Sequence, residues 1–136
     1  MRRIVKAPLF VMLLGLALGA ASTELLHAQQ GGIKRTMLQK GDTVDIPGHE
    51  VVMGISEVTP GAAAGRHTHP GTEIGYVIEG SGTLLVDGQA PREVKPGDSW
   101  IIDAGKVHDA KAGPNGVKVV GVFVVEKGKP LATPAP

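Results

Sequence analysis

Residues 61–80 read GAAAGRHTHPGTEIGYVIEG. His67 and His69 are two positions apart, which on an extended chain puts both imidazoles on one face. Pro70-Gly71 then bends the chain, and Glu73 follows four residues after His69. Two imidazoles and a carboxylate brought to one side of a sheet form a donor set for a transition metal. From Glu73 to Glu79, Ile74, Tyr76 and Ile78 alternate with Glu73, Gly75, Val77 and Glu79. That two-residue period belongs to a strand and not to a helix.

The same pattern continues outward in both directions. Glu50 to Val58 is rich in Val and Ile, and Thr59-Pro60-Gly61 ends it with the residues of a type II turn. Thr83 to Val86 leads into Asp87-Gly88, a strong hairpin signal. Lys95-Pro96-Gly97-Asp98 marks another turn, and Ser99 to Ile102 and Val117 to Val125 complete the apolar runs. No mature stretch carries a sustained 3.6-residue period, while 20 glycines and 10 prolines punctuate the chain. Short strands at even spacing predict an all-β sandwich or barrel over residues 33–126. Residues 29–32 are expected to be a flexible lead-in. Residues 127–136 (KGKPLATPAP) hold three prolines and no periodicity, so a disordered tail is expected there.

A Gly, five residues, His-x-His, three residues, Glu, six residues and Gly stand at Gly61, His67, His69, Glu73 and Gly80. This spacing resembles the first motif of the cupins. Their second motif is similar to the stretch with Gly97, Gly105 and His108 in place, although Asp103 stands where the family has proline and Ala112 where it has asparagine. Sixteen residues, Ser81 to Pro96, separate the two motifs. The resemblance covers about Glu50 to Val125 and implies a single small antiparallel β-barrel of double-stranded β-helix, jelly-roll-like type. It also implies that His67, His69, Glu73 and His108 hold one divalent metal ion. Iron, manganese, nickel, copper and zinc all accept such a mixed nitrogen and oxygen shell.

The implied function divides. A metal-dependent enzyme acting on a small molecule, as a dioxygenase or isomerase, is one class; Glu73 would then coordinate or swing off the metal as a general base. A non-catalytic periplasmic module that binds a small ligand or metal is the alternative, and a purely structural dimerisation domain is a third. A homodimer is expected, formed through exposed edge strands at Ile33 to Leu38 and Val117 to Val125. His49, within Pro47-Gly48-His49-Glu50, is expected on the surface, and Asp109 on the face opposite His108. Trp100 and Tyr76 are expected to pack in the core, because aromatic residues are scarce.

The first 28 residues read as a secretory signal. Arg2, Arg3 and Lys6 precede an apolar run, Leu9 to Leu18, and small residues follow, with cleavage after Ala21 or Ala28. That run is about half of the roughly 20 residues that span a bilayer, so no stable membrane anchor is expected. A periplasmic or secreted protein follows. Losing residues 1–28 leaves 11 basic and 12 acidic side chains, with no basic patch, and nucleic acid is excluded as a partner. With no cysteine, disulfides contribute nothing.

Overall fold

The computed structural model describes residues 31–136, and the expected signal segment at 1–28 lies outside them. Eight strands form one antiparallel sheet: β1 (Ile33–Asp42), β2 (His49–Val58), β3 (His67–Thr68), β4 (Gly71–Val86), β5 (Arg92–Val94), β6 (Ser99–Ile102), β7 (His108–Glu126) and β8 (Thr133–Pro134). Among the described residues there is no helix. The all-β expectation therefore holds, and the sheet curls on itself.

The two long strands do the curling. β4 pairs with β7 from Gly71↔Val125 to Val86↔His108, with bulges between Val77 and Glu79 and between Gly80 and Gly82. Bulges bend a strand and change which residues face inward. Before them Glu73, Gly75 and Val77 are buried; after them the even positions Gly82 and Leu84 take over. β2 flanks the far half of β7, while β5 and β6 flank β4. The inner face is mostly aliphatic, with Val58, Val77, Leu84, Ile102, Val117 and Val119 among its buried members, and Trp100 among them.

The turns follow their residue types. Ala62 N–H donates to the Thr59 carbonyl and Gly61 has φ +71°, which is the type II turn expected from Pro60-Gly61. Asp98 N–H likewise donates to Lys95 across Pro96-Gly97.

Two expectations are corrected. Val117 to Val125 is not an edge: it pairs with β2 on one side and β4 on the other. A nearly continuous apolar run suits a strand with neighbours on both sides. β1, by contrast, pairs only with β2 and is an edge. Residues 127–136 are not a disordered tail. After Glu126 the chain turns back, and Thr133–Pro134 pairs with β3 through Thr68↔Thr133 and His67↔Pro134. Proline lacks an N–H and is tolerated on an outermost strand, so its abundance there did not prevent pairing.

Candidate metal centre

β3 and β7 meet at the site, with His67 and His108 as direct ladder partners. His69 follows β3 and Glu73 lies on β4, whose neighbours across the sheet are Phe123 and Ile102. One ligating atom from each of His67, His69, Glu73 and His108 lies within 4.8 Å of the other three. Three of the four are buried: His69 at 7%, Glu73 at 8% and His108 at 3% exposure. His49 opens β2 and is outside the cluster.

Chain segments distant in sequence are stitched together here by backbone bonds. Gly105 N–H donates to the His69 carbonyl at 2.9 Å, joining the loop before β7 to the loop after β3. Gly105 has φ +71°, a conformation that costs glycine little, within a turn closed by Lys106 N–H on the Asp103 carbonyl. The turn forms with Asp103 where the resemblance expected proline. Ala112, in place of asparagine, is buried and donates its N–H to Ala62.

The three imidazoles share one orientation logic. Nδ1 of His67 bonds the Gly65 carbonyl at 2.6 Å, Nδ1 of His69 bonds Leu131 at 2.6 Å, and Nδ1 of His108 bonds Lys106 at 2.9 Å. A carbonyl only accepts, so each Nδ1 carries the proton and each Nε2 lone pair is left for a ligand. Glu73 Oε2 lies 2.9 Å from His69 Nε2 and 3.0 Å from His108 Nε2. Were both nitrogens to donate to it, both rings would be imidazolium, with centroids 5.1 Å apart. Two like charges in a buried site are costly. A central cation removes that demand. Metal–nitrogen and metal–oxygen bonds of about 2.0–2.2 Å let donors at these separations share one ion. The donor set fits a metal ion.

The other carboxylate oxygen is also occupied. Trp100 Nε1–H donates to Glu73 Oε1 at 3.0 Å. The indole reaches it by lying over Gly75: a Cβ at that position would sit 2.1 Å from Trp100 Cε2. On the other flank the Phe123 ring packs against His69 at a tilt of 56°, with centroids 4.7 Å apart. Trp100 is buried as expected, but Tyr76 is 48% exposed on the outer face. Asp109 neighbours His108 in sequence and takes no part in the cluster.

The electrostatics follow from these contacts. Burial disfavours an ionised Glu73, yet the bonds from His108, His69 and Trp100 outweigh it and hold the carboxyl well below the usual carboxylate range. Burial also opposes charge on His108, but its bond to Glu73 and the Lys106 carbonyl raise it above the ordinary histidine value. His67 has no carboxylate bonded to it, and burial lowers it.

Trp100 and the Leu131 carbonyl were not assigned to the site from sequence. Trp100 could be found only through its register opposite Gly75, and a backbone carbonyl leaves no mark in a sequence.

Residues 54–129 match the Cupin domain family. Over 69 residues the chain is 35% identical to dimethylsulfoniopropionate lyase DddW of Ruegeria pomeroyi, a match covering 51% of this chain and 45% of that protein. The chain thus spans about half the length of this curated relative. Among solved structures, an RmlC-like cupin from Shewanella frigidimarina is 28% identical with a TM-score of 0.59, covering 72% of this chain and 80% of that one. The dimethylsulfoniopropionate lyase DddQ of Ruegeria pomeroyi is 18% identical with a TM-score of 0.65, covering 76% and 52%; at that identity the likeness shows the fold.

Proposed function

This chain belongs to the cupin domain family, and on that premise we propose that it is a metal-dependent enzyme acting on a small molecule. The observation that carries the proposal is the meeting of three Nδ1-anchored imidazoles with one oxygen of Glu73. His67, His69, Glu73 and His108 would hold one divalent transition metal. When bound, that ion supplies Lewis acidity or redox capacity for a substrate.

The chain's own residues define the rest. The aliphatic inner face and the burial of three ligands exclude bulk water. Trp100 fixes Glu73 by one oxygen and turns the other toward the histidines. Glu73 enters the proposal as a ligand through Oε2, with the general-base role open to it when it leaves the metal.

The similarity to dimethylsulfoniopropionate lyase DddW adds a lyase reaction to the dioxygenase and isomerase classes. The test is protein loaded anaerobically with iron, manganese, nickel, copper or zinc. Oxygen uptake is followed with phenolic and dicarbonyl compounds, and product formation with dimethylsulfoniopropionate. Turnover that depends on the metal supports the proposal, and silence across the panel counts against it.

One observation favours the non-catalytic alternative. Among the described residues, the four side chains bond only backbone carbonyls, Trp100 and one another, with no further acid or base. Calorimetry showing tight binding of a small molecule without product over days would establish that reading. Export to the periplasm or beyond is also proposed, on Arg2, Arg3, Lys6 and the run Leu9 to Leu18. A homodimer is proposed as well, with β1 as the available edge.

A further inference from the structure

Two of the three imidazoles are oriented by their own neighbours in the chain. The acceptors for His67 and His108 are the carbonyls two residues before them, Gly65 and Lys106. His69 differs. Its acceptor, the Leu131 carbonyl, is 62 positions away. The orientation of one proposed ligand therefore depends on a segment that is remote in sequence.

That segment is fastened at several points. The chain reverses after Glu126, where Gly128 has φ +82°. Thr133 and Pro134 then pair along β3, opposite Thr68 and His67. Ala135 N–H donates to the Arg66 carbonyl at 2.9 Å. Arg66 in turn donates from Nε to the Pro136 carbonyl oxygen at 2.7 Å, while its two terminal nitrogens grip Asp87 at 2.9 and 2.8 Å. A bidentate pair of this kind holds a guanidinium in one geometry. The β4–β5 turn, β3 and residues 131–136 are thereby locked to one another.

We infer that Leu131–Pro136 is a strap that positions His69 for metal ligation, its Leu131 carbonyl accepting the His69 Nδ1 proton and directing Nε2 at the site. The inference rests on the metal reading of the four side chains. Partners of this outer kind, when removed, weaken metal binding by about 10- to 100-fold.

The test uses zinc as the probe and compares the full chain with a chain ending at Pro130. Zinc affinity is measured by chelator competition, and the histidine Nδ1 protons of the zinc-loaded protein are followed by ¹⁵N-edited NMR. The shortened chain should bind zinc about 10- to 100-fold more weakly. Its His69 Nδ1 proton should broaden through exchange with water, while that of His108, which the strap does not pair with, stays sharp. A purely structural strap would not move His69 while sparing His108. Should the shortened chain fail to fold, Ala135→Pro removes the N–H that bonds Arg66 and fixes the backbone there. Its zinc affinity should fall roughly 2- to 10-fold, the worth of one hydrogen bond. Unchanged affinity with three unchanged Nδ1 signals, in whichever variant folds, overturns the strap alone. A full chain that binds no zinc overturns the metal reading and the strap together.

Discussion

Replacing Trp100 with phenylalanine isolates the bond between the indole and Glu73. The ring stays apolar, but the N–H that reaches Oε1 at 3.0 Å is gone. Both groups are at most 9% exposed, so water does not readily replace the donor. A hydrogen bond to a charged group contributes about 1.5–3 kcal/mol. If that energy serves to hold Glu73 in its ligating pose, metal affinity should fall roughly 10- to 150-fold. The smaller ring also leaves a void, so the metal-free protein should melt at lower temperature whatever the site does. Chelator competition and thermal melting are therefore measured together, for Trp100→Phe alone and in a Glu73→Gln background. The affinity loss should largely vanish when Glu73 has already been replaced, because the two side chains act through one contact. A Trp100→Phe protein that melts earlier yet binds metal within about twofold of the parent would refute the reasoning and leave Trp100 a core residue only.

Gly75→Ala should disturb the same contact from beneath, since its Cβ would meet the indole at 2.1 Å. Overpacking of this kind costs about 1–3 kcal/mol, visible in denaturant titration, and metal affinity should fall with it. The pH dependence has a definite sign. Glu73 is depressed in the fold, so its contribution to metal-free stability is present above 4.5 and lost as pH falls through the folded value. His108 is raised, so its contribution is complete below 6.5 and lost as pH rises through its folded value. His67 is lowered and acts in the opposite sense to His108, contributing above 6.5. Metal must displace the His108 proton, so the rise in melting temperature on metal loading should grow as pH increases past 6.5; a flat difference would contradict this. Light scattering should return the mass of two chains, and a mass near one chain would remove the dimer.

How much of this was legible in the sequence depends on the kind of signal involved. The spacing of His67, His69 and Glu73 carries its own geometry, because an extended chain places alternate side chains together. Bringing His108 beside them, 39 positions after His69, required the motif resemblance as well as strand pairing. Turns were legible where a residue type forces a backbone shape, as at Pro60-Gly61. Which face of β4 points inward was not, since the bulky Ile74 and Tyr76 lie outside while Glu73 and Gly75 lie within. Side-chain bonds to Glu73 and a glycine that admits Trp100 outweigh plain hydrophobicity at that position. The prolines of residues 127–136 misled for a related reason: they forbid a central strand but suit an outermost one. The Leu131 carbonyl belongs to the backbone, and only the folded chain reveals what it faces.

The most direct test is the metal content of protein taken from its native compartment, set beside that of a His67→Ala/His69→Ala variant prepared in parallel. The parent should carry about one transition-metal ion per chain and the variant almost none. Equal metal in the two proteins, or none in the parent, would contradict a site built from these histidines.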